Sequence, residues 1–409
     1  MDLLSGSAQY RPDMIILGGF VQAGDQPDIR PLIINVIRMR TKEQLQSRRS
    51  FLRGAVINGA VLSTLPATAM ASSKIDADER KVAEDNIPRL PLKIYLSSGL
   101  EERFTNFIKS LSNEVTLIGR MENAELEGVI HDIDVWFGYI PNEQFVKANK
   151  LRWVQSTSAG VEHYVYPDMV NSDVILTNAK GCYGPAIGEH AIGLLFSLTR
   201  QLANQTRNMA EGKWDREGNM VEMKGKTMGI VGLGGIGSQV ARRARAMDMK
   251  IIAVDIVPKY KEQIGDICDE VRLVQDGGLG WLMKNADVVV SATPHTKISE
   301  GMFDKKHFEL MKPGSYFINV SRGKLVKTHD LVEILKSGHL AGAGLDVTDP
   351  EPLPSDHELW KMSNVIISSH IAAQSQYSHM RMQTVFSENV DRFIKGLPLQ
   401  NLVDKVAGF

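Results

Sequence analysis

Two side chains with matched chemistry follow short apolar runs in the second half of this sequence of 409 residues. Arg322 comes after FINVS, His370 comes after VIISS, and Glu351 lies between them in LDVTDPEPLP. An arginine can hold a planar carboxylate through two hydrogen bonds, a histidine can exchange a proton near neutral pH, and a neighbouring glutamate can fix the histidine tautomer. Singly, each is more often a surface residue; together they suit hydride transfer at a 2-hydroxy acid.

A glycine-rich motif, GLGGIG, lies between the apolar run Met228–Val231 and a helix expected to begin near Ser238. Gly232 permits a tight turn, Gly234 lets backbone N–H groups approach a pyrophosphate, and Gly237 lets the helix pack closely on the strand. The helix N-terminus then faces the phosphates. Asp255 ends the next apolar run, where its carboxylate would accept hydrogen bonds from a ribose. The pattern predicts an NAD site.

Short apolar runs and helical patterns alternate through the body of the chain, which is typical of parallel α/β sheets. We expect strands at 93–97, 115–119, 134–140, 153–156 and 174–178, with helices at 101–111 and 142–148. Further strands are expected at 228–231, 251–254, 287–292, 315–320, 342–346 and 365–368. A long helix from 185 to about 209 would bridge two lobes, and a helix near 378–395 would return to cover the first lobe.

The predicted fold is therefore α/β, with two doubly wound parallel-sheet lobes. Residues 185–370 would form a Rossmann dinucleotide-binding lobe, and residues 93–184 with 371–409 would form a flavodoxin-like substrate lobe. In such sheets the reactive side chains collect beyond the carboxyl ends of the strands. Arg322, Asp346 and His370 all stand at such ends.

Composition limits the class of protein: 43% of residues are hydrophobic, 23% are charged and the net charge is −1, as in soluble chains of about two domains. The body holds no basic block, so we expect no nucleic-acid partner and no stable membrane anchor. Cys182 and Cys268 lack the spacing of a redox pair or metal ligands, so we expect small buried thiols and no metal.

The first 71 residues differ in kind from the rest. Ser47–Arg53 reads SRRSFLR and is followed by the weakly apolar run 54–70 and by Ala69-Met70-Ala71, a small-x-small cleavage pattern. This resembles a twin-arginine export signal, with cleavage after Ala71, a tail or linker at 72–92 and a periplasmic location. The alternative is a cryptic signal and a cytoplasmic enzyme, and Met39 is an alternative start.

Seven segments together resemble the D-isomer-specific 2-hydroxyacid dehydrogenases: STSAGVEHY, NAKGCYGPAIGEHAIGLL, GIVGLGGIG, ADVVVSATPHT, FINVSRGKLV, GLDVTDPEPLP and SSHIAA. The resemblance covers residues 93–400. It implies Arg322 as the substrate-binding catalytic arginine, His370 as acid/base and Glu351 as its partner.

The same resemblance implies a carboxylate cradle of backbone N–H groups and a fuller cofactor site. The cradle is Ala159, Gly160 and Val161; the cofactor contacts are Gly232, Gly234, Gly235, Ile236, Gly237, Asp255, Thr293 and Asp346, the last near the nicotinamide. The substrate would be a small 2-oxo or 2-hydroxy acid in the glyoxylate or hydroxypyruvate range, the cofactor NAD, and the protein a homodimer. Tyr183 and Trp214 are expected in either the pocket or the core.

Two alternatives remain open. A formate enzyme of this fold would resemble the family but carry glutamine in place of Glu351, which argues against that reading. A redox-sensing module that binds NAD(H) without turnover would share the fold, but the intact Arg322, Glu351 and His370 favour an enzyme.

Overall fold

Two parallel sheets organise the chain, described by a computed structural model over residues 90–216, 218–257 and 267–409. The first sheet holds five described strands in the order β2-β1-β3-β4-β5. They are β1 (Leu92–Leu96), β2 (Val115–Ile118), β3 (Val135–Phe137), β4 (Trp153–Gln155) and β5 (Ile175–Thr177). The helices between them are α1 (Glu102–Leu111), α2 (Asn123–Glu127), α3 (Asn142–Phe145) and α4 (Pro167–Val170). This is the flavodoxin-like strand order.

The second sheet contains seven described strands in the order β12-β11-β10-β9-β6-β7-β8. They are β6 (Thr227–Val231), β7 (Lys250–Asp255), β8 (Glu270–Leu273), β9 (Val288–Ser291), β10 (Ser315–Asn319), β11 (Leu340–Leu345) and β12 (Val365–Ile367). The helices are α5 (Gly184–Thr199), α6 (Leu202–Ala210), α7 (Gly235–Ala246), α8 (Gly278–Asn285), α9 (Lys305–Leu310), α10 (Thr328–Lys336) and α11 (Ser378–Ile394). Numbered within the sheet, the order is 3-2-1-4-5-6-7, the Rossmann order with one added strand.

The central strands of both sheets carry apolar side chains on both sides, so each sheet has other parts of the chain packed on both of its faces. All residues of β9 and β10 are buried, and separate apolar clusters lie on the two faces of each sheet. Helix α11 packs on the five-stranded sheet, where Phe386 stacks on Phe137 with ring centroids 4.1 Å apart. The last helix of the chain thereby returns to the first lobe.

The structure corrects several expected boundaries. The long helix expected to run from residue 185 to about 209 is two helices, α5 and α6, because Gln201 adopts a left-handed backbone with φ 56°. Helix α7 begins at Gly235, three residues before the expected Ser238. Leu92 belongs to β1 and not to the expected linker. Strand β8 escaped prediction because it is a partly exposed edge strand that carries Glu270 and Arg272.

The expected export signal at Ser47–Ala71, with the prefix before it and most of the tail after it, lies outside the described residues. Lys259 and Lys261, two basic residues that follow Asp255 in the sequence and could accommodate a ribose 2′-phosphate, also lie outside them. Within the part of the chain that is described, no helix is both long enough and apolar enough to cross a membrane.

Candidate active site

A cleft of about 760 Å³ opens where the strands of both sheets end. Its wall comes from the loop after β4, the starts of α5, α7 and α11, and the segments after β10, β11 and β12. The residues that line it include Ala159, Tyr183, Ile236, Arg322, Asp346 and His370. Residues far apart in sequence therefore meet at one edge, as the doubly wound topology requires.

His370 and Glu351 form a hydrogen-bonded pair at this edge. His370 Nδ1 lies 2.6 Å from Glu351 Oε1, and both side chains are about two-fifths exposed, at 42% each. A carboxylate at Nδ1 fixes the tautomer in which Nδ1 bears the proton, so Nε2 is left to exchange a proton with a substrate. The pair therefore has the arrangement expected of an oriented acid/base.

The backbone of His370 is held in an unfavourable conformation by Asp346. His370 has φ 54°, a left-handed geometry that costs a non-glycine residue about 1–3 kcal/mol. Asp346 is buried, and its carboxylate accepts hydrogen bonds from the N–H groups of Ile371 and Ala372, each at 3.0 Å. The His370 N–H donates to the Asp346 carbonyl at 2.8 Å. Asp346 thus fixes the loop that carries His370 as well as lining the cleft.

A relay from α5 supports Asp346 in turn. The Ser368 hydroxyl donates to Asp346 Oδ1 at 2.6 Å, and His190 Nε2 lies 2.8 Å from the same hydroxyl. The buried Asp346 carboxylate is therefore held by Ser368, which follows β12, and through it by His190 of α5. His190 and Ser368 belong to motifs of the sequence, yet only the fold shows that they meet.

Arg322 is fixed from two sides by its own protein. Its Nε donates to Glu162 Oε1 at 2.7 Å and its Nη1 donates to the Ser321 carbonyl at 2.8 Å. Burial would raise the pKa of the Glu162 carboxyl, but the Arg322 guanidinium outweighs burial and holds that pKa below its usual value. Glu162 stands two residues beyond Gly160 in STSAGVEHY, and sequence reasoning missed it because its partner is 160 residues away.

Gly160 makes the approach of Arg322 possible. A Cβ at this position would lie 2.1 Å from Arg322 Nη2 and 2.5 Å from Glu162 Oε2. Any side chain here would therefore displace the guanidinium. The neighbouring Ala159 lines the cleft, and the Asn178 amide donates to its carbonyl at 2.9 Å, which fixes this loop. Val161 is buried beneath it.

The glycine motif has the shape that a dinucleotide pyrophosphate requires. Gly232 has φ 89°, and a Cβ there would lie 2.8 Å from both the Ala292 carbonyl and Thr293 Oγ1. A Cβ on Gly237 would lie 2.0 Å from the Gly232 carbonyl, whereas the space around Gly234 is open. Since α7 begins at Gly235, the N–H groups of its first turn face that space. Ile236 extends from this turn into the cleft wall.

Asp255 lies at the end of β7, directly beside this turn. Its Oδ2 accepts from the Leu233 N–H at 2.7 Å and its Oδ1 accepts from the Val257 N–H at 2.9 Å. Each oxygen retains a second lone pair, so the carboxylate is fixed in place and still able to accept hydroxyl hydrogen bonds. The residues therefore fit an adenosine ribose at this position.

Two aromatic residues differ in placement. Tyr183 lines the cleft and donates its hydroxyl to the Thr157 carbonyl, and burial raises the pKa of that phenol to about 12. Trp214 is 88% exposed after α6, so its expected position in the pocket or the core is wrong. Cys182 and Cys268 are buried free thiols, as predicted. Within the described ranges no three His, Cys, Asp or Glu side chains are grouped to hold a metal.

Comparison with known proteins gives consistent matches. Residues 192–372 match the family model "D-isomer specific 2-hydroxyacid dehydrogenase, NAD binding domain". A glyoxylate reductase of Thermofilum pendens is 33% identical over 263 residues, covering 63% of this chain and 76% of that protein. A D-3-phosphoglycerate dehydrogenase of Archaeoglobus fulgidus is 30% identical over 323 residues, 76% of this chain but 59% of its own length.

A solved structure agrees with these sequence matches. It is a D-isomer specific 2-hydroxyacid dehydrogenase family protein of Aeromonas salmonicida, 30% identical with a TM-score of 0.67, covering 77% of this chain and 99% of that one. The predicted pair of parallel-sheet lobes and the predicted nicotinamide dinucleotide cofactor are thereby confirmed.

Proposed function

This chain belongs to the D-isomer-specific 2-hydroxyacid dehydrogenase family, and we propose that it interconverts a small 2-oxo acid and its D-2-hydroxy acid with NAD(H). The observation that carries the proposal is the meeting of Arg322 and the His370–Glu351 pair at one cleft, beside the glycine turn of α7. Glyoxylate and hydroxypyruvate are the substrates we expect.

The residues of the cleft divide the work of the reaction. The Arg322 guanidinium and the backbone N–H groups around Gly160 bind the carboxylate of the acid. Bound nicotinamide supplies the hydride to C2 in reduction and takes it in oxidation. His370 donates the proton to the C2 oxygen in reduction and removes it in oxidation, and Glu351 stabilises the protonated imidazole.

We propose NADH over NADPH as the preferred cofactor, supported by Asp255. A fixed carboxylate at the ribose position accepts hydrogen bonds from two hydroxyls and repels a 2′-phosphate.

The test is an assay of residues 72–409 with NADH and a panel of glyoxylate, hydroxypyruvate, pyruvate and longer 2-oxo acids, followed by nicotinamide absorbance. Consumption of NADH with any of these acids supports an enzyme. Tight NADH binding without consumption in the whole panel would favour the sensor module instead, and an active acid would identify the substrate range.

We also propose that the protein is a homodimer whose contact includes α6. None of the nine residues of α6 is buried, and Leu202 and Met209 are 50% and 74% exposed on it. Trp214, 88% exposed, follows closely. An amphipathic helix ordinarily buries its apolar side. Sedimentation should give a dimer for the wild type and a monomer for Met209→Glu with Trp214→Ser; a monomeric wild type would contradict the proposal.

The fourth proposal is export in the folded state, supported by the SRRSFLR segment and the Ala69-Met70-Ala71 pattern. As known for that route, twin-arginine transport carries folded proteins, so the chain could leave with its nucleotide bound. Cell fractionation and mass spectrometry should find a chain beginning at Ser72 in the periplasm. Replacing Arg48 and Arg49 by lysine should abolish that species, and an uncut cytoplasmic chain in the wild type would contradict export.

A further inference from the structure

Resting on the proposed function, we propose that Glu162 is a specificity-determining residue. It neutralises Arg322 and thereby restricts the cleft to 2-oxo acids whose carboxylate is their only anionic group, excluding phosphorylated ones. Glu162 acts through Arg322 and takes no part in proton or hydride transfer.

Two of the three side-chain nitrogens of Arg322 already donate hydrogen bonds within the protein. Nε donates a hydrogen bond to Glu162 Oε1 at 2.7 Å, and Nη1 donates one to the Ser321 carbonyl at 2.8 Å. Nη2 makes no hydrogen bond to any described residue and lies against Gly160, in the loop that lines the cleft. The guanidinium therefore offers the substrate one free edge, suited to a single carboxylate.

Carboxylates outnumber fixed cations around that edge. Arg322 is the only lysine or arginine among the described residues that line the cleft. Asp346 lines the same cleft, Glu162 contacts Arg322, and Glu351 contacts His370. The one guanidinium therefore stands among three carboxylates, and the histidines aside, the site carries no surplus positive charge. A monoanionic acid finds one directed donor and no surplus cation.

A phosphorylated acid meets a different balance. A phosphate group adds about −1.5 to −2 charge at pH 7, and three strong acceptor oxygens. No fixed cation on the described wall remains to pair with it, and the nearest carboxylates repel it. Like charges placed together in a partly desolvated site repel each other strongly. We therefore expect discrimination of at least about 100-fold in kcat/KM against the phosphorylated acid.

The carboxylate of Glu162 remains charged under assay conditions. The Arg322 guanidinium, working against burial, holds the pKa of Glu162 below the ordinary 4.5. The ion pair is therefore complete above that ordinary value and is lost only as the pH falls through the lower folded value. The discrimination is not a feature of one narrow pH range.

The experiment compares hydroxypyruvate with 3-phosphohydroxypyruvate, with NADH at about pH 7.5, where the phosphate is largely doubly charged, in the wild type and three variants. Glu162→Gln removes the charge at nearly constant size, Glu162→Asp keeps the charge, and Glu333→Gln is the matched control. Glu333 pairs with Lys305 at 3.0 Å on the surface of α10, away from the lining residues. Thermal unfolding of each variant verifies that it is folded.

We expect Glu162→Gln to reduce the discrimination by about tenfold or more, chiefly by lowering KM for the phosphorylated acid. Glu162→Asp and Glu333→Gln should keep the wild-type ratio of kcat/KM between the two acids. In the wild type, added salt should lower this ratio, because it screens the repulsion of the phosphate. A steric block would not respond to Glu162→Gln. An unchanged ratio in Glu162→Gln, or equal use of both acids by the wild type, overturns the inference alone. Failure of every 2-oxo acid in every variant overturns the proposed function with it.

Discussion

Gly160→Ala should abolish most of the activity while leaving the fold nearly as stable as before. The new Cβ would lie 2.1 Å from Arg322 Nη2 and 2.5 Å from Glu162 Oε2. Both atoms end flexible side chains, so the clash is relieved by rotating them and not by moving the backbone. The substrate then loses a charge-assisted hydrogen bond worth about 1.5–3 kcal/mol. That loss corresponds to a fall in kcat/KM of roughly 10- to 150-fold.

The cost to stability is much smaller. The Arg322–Glu162 pair is partly exposed, at 30% and 26% of the two side chains, so its loss should cost no more than about 1 kcal/mol. In a domain of this size that lowers Tm by about 2–4 °C. Steady-state kinetics with NADH, together with thermal unfolding, measures both effects on the same preparation.

Gly193→Ala is the matched control for this substitution. Gly193 lies on an exposed part of α5, where an added methyl group would meet no other atom within 4 Å. The substitution should therefore leave the kinetics unchanged and raise stability by about 0.4–1 kcal/mol. If Gly160→Ala retained wild-type kcat/KM, the position of Arg322 beside the substrate would be wrong. If it unfolded the protein, the clash would involve the backbone and the reasoning about flexible ends would fail.

Three further outcomes are expected. Asp255→Ala should reduce the kcat/KM preference for NADH over NADPH by roughly 10-fold or more, because hydrogen bonds to a charged group are lost, and an unchanged preference would refute its role. Ser368→Ala should lower kcat by roughly tenfold with a smaller change in KM, because Asp346 loses the hydroxyl that links it to His190. Ser368→Thr should restore kcat, and equal kcat in the wild type and both variants would show that this hydroxyl does not affect turnover. Burial raises the pKa of the Cys182 thiol to about 11. At about pH 8.5, near the ordinary thiol pKa, a thiol reagent should therefore label Cys182 only after the protein is unfolded, and rapid labelling of the folded protein would contradict its burial.

The sequence predicts the parallel sheets and the strand-end residues of the candidate site because each depends on a local signal. Apolar runs between helical patterns mark the strands, and Arg322, Asp346 and His370 stand directly at strand ends. The parallel topology then brings those ends together without any need to know the packing. The glycine turn is equally local. At positions 232 and 237 any residue with a Cβ would clash with atoms of the same β-α unit or of the neighbouring strand end, so only glycine fits there.

What escaped prediction depends on contacts between distant parts of the chain. Glu162 meets Arg322, and His190 meets Ser368, across separations of 160 and 178 residues. Their roles arise from packing, which residue spacing does not encode. The left-handed backbone of His370 is likewise invisible in the sequence, because the Asp346 carboxylate imposes it from another strand end.

Trp214 and the break between α5 and α6 show the same limit at the surface. The helical pattern continues past Gln201, but the chain turns there in a left-handed conformation and carries α6 away from the core. Trp214 follows α6, and its large apolar side chain suggests a buried position from the sequence, yet it is exposed. This exposure among the described residues is what supports the proposed dimer contact.

The most direct test of the account is the rate of NADH oxidation by a saturating 2-oxo acid in the wild type and in His370→Ala, with NADH affinity measured by fluorescence titration. We expect His370→Ala to bind NADH as the wild type does and its kcat to fall by about 10²- to 10⁴-fold, the contribution of a positioned acid/base. A His370→Ala enzyme within about tenfold of the wild-type kcat would contradict it, because the proton would then come from a group other than the one that Glu351 and Asp346 hold in place.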